Sequence, residues 1–237
     1  MNMAARVPHG VPAHTPGCQE RWEMFYDQQM GFRDNICPEH LEGLRLLNIS
    51  RNGIPSFDRI NGVLLPSRGW RVVAAPDNFT GKRFTKDLAQ RRFRMASSIR
   101  SAEHMRFAPR PDFLHDVCHV PMLMNLEFAD FMHAFGRAGV KAKDEEQIHQ
   151  LLQLYFCTAE TGLIRAPHTP SGFAIYGAAC ISSRDEAERC LSPDVERVPL
   201  DIEAIKKMNI DDTKLQERYF FVESFSDLSE ALRKFVQ

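Results

Sequence analysis

The feature that most constrains this chain is a pair of histidines four residues apart. His115 and His119 stand in Arg110-Pro-Asp-Phe-Leu-His-Asp-Val-Cys-His-Val-Pro121. On a regular helix four residues advance about 400°, so His119 lies nearly over His115 and about 6 Å along the axis. Both imidazoles then face one point. Glu160, in Tyr155-Phe-Cys-Thr-Ala-Glu-Thr-Gly162, sits at the end of a later amphipathic run. A fold that brings Glu160 to that point completes a 2-His-1-carboxylate set, which leaves three faces of a ferrous ion open. The pair also suits zinc. The zinc-protease pattern, however, needs a glutamate directly after the first histidine as base, and here that residue is the shorter Asp116.

At 237 residues the chain is long enough to bury a sizeable core. Lys+Arg 30 against Asp+Glu 31 gives no charge argument for nucleic acid or an acidic membrane surface. No apolar run approaches the roughly 18 residues that span a bilayer, and the N-terminus has no apolar signal core. Cys18, Cys37, Cys118, Cys157, Cys180 and Cys190 form no Cys-x-x-Cys pair. They read as reduced, buried thiols of a cytoplasmic protein.

Residues 1–17, rich in proline, read as a loose arm, and 18–237 as one catalytic domain. Helical spacing runs over Gln19–Gly31 and Pro38–Leu47, and Ser56 caps a further short helix. Trp70–Ala75 predicts a strand ended by Pro76, Phe84–Arg92 a helix, and Phe93–Arg100 an extended or irregular stretch. Pro111 suits the first turn of the histidine helix, and Pro121 ends it. Leu126–Arg137 predicts a helix stopped at Gly136/Gly139, and Asp144–Thr161 another stopped at Gly162. Phe173–Tyr176 and Tyr219–Val222 read as short strands, and Ser226–Val236 as a closing helix. The class is α+β, predominantly helical with a few short strands. Asp112 and Asp116 flank the histidines and are placed to orient imidazole N–H groups or bound water.

Several stretches resemble the pterin-dependent aromatic amino acid hydroxylases, above all the short bacterial phenylalanine 4-hydroxylases. They are Gly69-Trp70, Leu88-Ala-Gln-Arg-Arg-Phe93, Pro111-Asp-Phe-Leu-His-Asp116, His119-Val-Pro121, Phe128-Ala-Asp-Phe131 and Gly139-Val-Lys-Ala-Lys143. Glu160-Thr-Gly-Leu-Ile164, Ile175-Tyr-Gly-Ala-Ala-Cys-Ile-Ser-Ser183 and Tyr219-Phe-Phe-Val-Glu-Ser-Phe225 continue the series. The resemblance runs from about Glu20 to Phe235. It implies the catalytic-domain fold of that family, Fe(II) held by His115, His119 and Glu160, and a tetrahydropterin cosubstrate stacked on Phe84 with Asp116 nearby. It further implies that Arg100, held by Asp112, takes the substrate carboxylate, with Phe156, Ser182 and Ser183 around the substrate. The partners are then an aromatic amino acid, O2 and reduced pterin, with no nucleic acid and no membrane. A bare catalytic domain of this kind is expected to be a monomer.

The chain departs from that family in two ways. The family pattern is His-acid-x-x-Gly-His, whereas His115-Asp-Val-Cys-His119 is one residue shorter and lacks the glycine. This suits a straight helix but predicts a shifted ligand, so that the site has either re-adapted or binds iron poorly. Ser97 and Ser98 also replace bulkier residues, Phe156 a tryptophan, and Cys157 and Thr161 aromatic residues. The expected reaction is L-phenylalanine to L-tyrosine. The same chemistry on tryptophan or at the phenylalanine 3-position, a zinc hydrolase, and a non-catalytic relative are the alternatives.

Overall fold

The computed structural model describes residues 17–75, 80–107, 111–208, 210–211 and 213–236. All of the N-terminal arm but residue 17, and Pro76, lie outside the described residues. The chain opens with α1 (Cys18–Met30), α2 (Pro38–Leu46) and α3 (Phe57–Arg68), whose Ser56 hydroxyl accepts from the Arg59 N–H as expected of a cap. A β-α-β unit follows, formed by β1 (Arg71–Ala74), α4 (Gly81–Leu88) and β2 (Arg92–Met95). Its strands pair in parallel, Arg71 opposite Arg92. Then come α5 (Phe113–His119), α6 (Leu126–Lys141) and α7 (Glu145–Tyr155), the last continued by a π-helical turn over Phe156–Glu160. The remainder is β3 (Leu163–Arg165), β4 (Phe173–Ile175), α8 (Ala178–Ser182), α9 (Arg184–Leu191), β5 (Glu196–Pro199), α10 (Ile202–Lys206), β6 (Arg218–Val222) and α11 (Ser226–Phe235). The second sheet has the order β4-β3-β6-β5, antiparallel between β3 and β4 and parallel elsewhere.

Four boundaries differ from the sequence reading, each for a local reason. The fourth helix starts and stops earlier than expected. Thr80 caps it through its hydroxyl, and Arg91, at φ 53°, turns the chain into β2. Pro111 precedes the first turn of α5 instead of occupying it, because Asp112 is the cap, its Oδ1 accepting the His115 N–H at 3.0 Å. Gly136 and Gly139 do not stop α6. A Cβ on Gly136 would overlap the backbone of Leu88 and Ala89, and one on Gly139 would overlap Thr85. These glycines therefore let α4 and α6 cross at backbone distance. Finally, the α-helical run that begins at Asp144 ends at Tyr155, not at Thr161.

One contiguous core runs through these layers, with Trp22, Phe25, Trp70, Phe113, Phe128, Phe131 and Phe135 fully enclosed. Each such side chain contributes about 1.5–3 kcal/mol by leaving water. All six cysteines are buried and none forms a disulfide, as their spacing predicts. No described helix is long and apolar enough to cross a membrane.

Candidate metal centre and substrate cavity

His115 and His119 emerge from one face of α5, and Glu160 from the last residue of the π-turn. The donor atoms converge despite the shortened histidine spacing. His115 Nε2 and His119 Nε2 are 3.4 Å apart. Glu160 Oε2 lies 3.1 Å from the first and Glu160 Oε1 3.2 Å from the second. Bonds of about 2.1 Å from a first-row metal ion, meeting at right angles, hold neighbouring donors about 3.0 Å apart. Opposed donors would be about 4.2 Å apart on the same bond length. All three observed separations match neighbours, so the set occupies one face of a coordination sphere. Glu160 Oε2 is also buried without a hydrogen-bond partner, a costly state that a cation relieves. Among the described residues this is the one group of three or more His, Cys, Asp or Glu with metal-ligand proximity.

The electrostatics agree. Burial pushes the Glu160 carboxyl up, but the two imidazoles outweigh it and hold the group well below the usual carboxylate range. Burial lowers His119. His115 is also opposed by burial, yet the Glu160 charge raises it on balance. The carboxylate is thus held in the anionic form in which it can ligate a cation, and burial favours the neutral, ligating form of His119. His40, fully buried, is pushed down to about 3 by burial and adds no charge next to His119.

The imidazoles are not oriented by the two aspartates. His115 Nδ1 faces the Ser182 hydroxyl at 3.2 Å. His119 is held between Phe93, 5.0 Å away between ring centroids, and Tyr155, whose hydroxyl is 3.4 Å from Nδ1. Asp112 instead caps α5 and pairs with Arg100, Nη2 to Oδ1 at 2.6 Å. Asp116 Oδ2 accepts the Ala96 N–H at 2.6 Å, and burial pushes its carboxyl up to about 7. Phe84 packs edge-on to Tyr155 at 4.9 Å, two rings from the donors.

A cavity of about 180 Å³ opens onto the donors. His115, Glu160, Phe156, Ser182 and Ser183 line it, with Phe107, Leu152, Tyr155 and Thr161. Arg100 is not on this wall but touches it, Nη1 donating to the Ser182 carbonyl at 3.2 Å. The Ser183 hydroxyl is committed to structure, donating to Arg106 O and capping α9. Phe84 and Asp116 lie off this cavity.

A family model for biopterin-dependent aromatic amino acid hydroxylases matches residues 8–237. The chain belongs to this family. A phenylalanine-4-hydroxylase of Ralstonia nicotianae is 37% identical over 226 residues, covering 94% of this chain and 71% of that protein. One of Chromobacterium violaceum is 36% identical over 228 residues, covering 95% and 76%. The crystal structure of the Chromobacterium violaceum enzyme with bound oxidised Fe(III) superposes with a TM-score of 0.88 at 33% identity, covering 95% of this chain and 84% of that one. A second structure of that enzyme, with Fe(III) and oxidised 7,8-dihydrobiopterin, gives 0.87 at 33% identity, covering 96% and 84%. The fold expected from the sequence is therefore the fold observed.

Tyr155 is a site residue that sequence reasoning passed over. A regular helix through Thr161 turns Tyr155 about 140° away from Glu160. The π-turn returns both to one side, and periodicity carries no sign of such a turn.

Proposed function

We propose that this chain is a non-haem iron, tetrahydropterin-dependent monooxygenase that converts L-phenylalanine to L-tyrosine, with His115, His119 and Glu160 as the iron ligands. The facial arrangement of these three donors in a member of this family carries the reading. Iron bound there, together with a reduced pterin, supplies the activation of O2. The remaining work falls to the chain. Arg100 has five N–H donors, of which three are engaged by Asp112 and the Ser182 carbonyl. The other two have no partner among these bonds, and the reading assigns them to a substrate carboxylate, in the fork geometry that suits Arg to the task. Asp112 fixes the guanidinium and starts the histidine helix with the same carboxylate, so substrate and metal ligands share one anchor. Phe107, Leu152 and Phe156 supply apolar walls for the ring. Phe84 is the stacking partner for the pterin, and Asp116 the acid beside it. All these groups come from one chain, so the site needs no residue from a second subunit, and we read the enzyme as a cytoplasmic monomer.

The zinc-hydrolase alternative is less favoured, because Asp116 is the shorter acid and its Oδ2 is engaged by the Ala96 N–H. Phe156 and Thr161, both smaller than the family pattern, do stand on the cavity wall. That favours a roomier pocket, and so a second reading with tryptophan or the 3-position as target. An aerobic assay of ferrous-reconstituted protein with tetrahydropterin and phenylalanine, tryptophan or tyrosine, with products resolved by mass and retention time, decides. Tyrosine is the expected product. 3-Hydroxyphenylalanine or hydroxytryptophan would replace the substrate assignment, and iron-loaded protein that yields no product would overturn the reading.

A further inference from the structure

Glu160 reaches the two histidines only because α7 gives way to a π-turn in its last five residues. In an α-helix, residue 160 would point about 140° from residue 155. An i→i+5 bond inserts one more residue into the turn, and Glu160 comes back over Tyr155, on the side where His119 lies. The bond that closes this turn runs from the Thr161 N–H to the Phe156 carbonyl at 2.9 Å. The same carbonyl accepts a second hydrogen bond, from the Thr161 hydroxyl at 2.8 Å. Thr161 is 3% exposed, so water does not compete for either bond. Its backbone, at φ −118° and ψ 13°, has already left the helix. The hydroxyl is therefore a clasp across a turn that would otherwise relax towards the commoner α form.

We propose that Thr161 is a positioning residue for the carboxylate ligand, its hydroxyl holding the π-turn in the form that keeps Glu160 on the metal. This rests on the metal reading given above. Thr161 is not among the donors and, although it stands on the cavity wall, its hydroxyl is turned back to the Phe156 carbonyl. Loss of such outer support for a ligand weakens metal binding by about 10–100-fold.

Three variants separate the hydroxyl from the rest of the side chain. Thr161→Val keeps the shape and removes the hydroxyl, Thr161→Ser keeps the hydroxyl, and Thr161→Ala differs from Thr161→Ser by the hydroxyl alone. Each is titrated with Co(II) against a competing chelator, and the visible absorption of the bound Co(II) is recorded. Metal-free far-UV circular dichroism verifies that each variant is folded. The valine and alanine variants should bind Co(II) about tenfold more weakly, with an altered absorption band, and the serine variant should stay within about twofold of the parent. Equal affinity in all three, or a serine variant as weak as alanine, would overturn the clasp. His119→Ala is the reference for a broken site. Should the parent bind Co(II) no better than that variant, the metal assignment itself fails and the clasp with it.

Discussion

At the scale of single residues, the site is built from side chains with two duties. Asp112 both caps α5 and holds Arg100, and Ser182 meets His115 through its hydroxyl and Arg100 through its carbonyl. Replacing Arg100 with lysine keeps the charge but cannot satisfy Asp112, Ser182 and a carboxylate together. Arg100→Lys should raise the KM for phenylalanine about tenfold or more, since a hydrogen bond to a charged group contributes about 1.5–3 kcal/mol. Metal content should stay that of the parent, and steady-state kinetics with metal analysis on one preparation checks both. The candidate donors stood out in the sequence because imidazole and carboxylate groups announce their chemistry by type, whereas the role given to Arg100 came from the family resemblance. The orienting roles of Ser182 and Tyr155 were not legible, since they depend on which ring nitrogen faces which hydroxyl.

At the scale of elements, glycine marks where backbones meet. A Cβ on Gly177 would overlap the carbonyl of Glu160, so the start of α8 presses on the ligand's own backbone. Gly177→Ala should therefore cost metal affinity, by about tenfold or more, read by the same chelator competition. Gly136→Ala strikes the α4–α6 crossing, away from the donors. Overpacking there should cost about 1–3 kcal/mol, seen as a lower denaturant midpoint with little change in metal affinity per folded molecule. Gly62, inside α3 with nothing within 4 Å of a built Cβ, is the opposite case. Gly62→Ala should stabilise by about 0.4–1 kcal/mol, measured the same way. Helix cores were legible from apolar period, and the cap at Ser56 from residue type. Gly136 and Gly139 misled, because glycine reads alike as a helix stop and as a close crossing.

At the scale of the whole molecule, the proposed metal centre would tie α5 to the end of α7, elements that are separate in sequence and joined through the core. A ligand bound only by the folded state stabilises it by mass action, about 2.7 kcal/mol at a concentration one hundred times its Kd. For a chain of this length that is a rise of roughly 5–11 °C in Tm. Ferrous or cobaltous ion should give this rise in a thermal melt, chelator should reverse it, and Glu160→Gln should abolish it. The sequence by itself determined the helical class and the family and singled out the candidate donors, because these follow from residue chemistry, apolar period and motifs along the chain. Only the tertiary structure decided that a histidine pair one residue short still meets its carboxylate. That outcome depends on the π-turn at Phe156–Glu160 and on the backbone of α8 packed against it. A π-turn is marginal in isolation and persists where its surroundings over-determine it, so helical periodicity does not announce it.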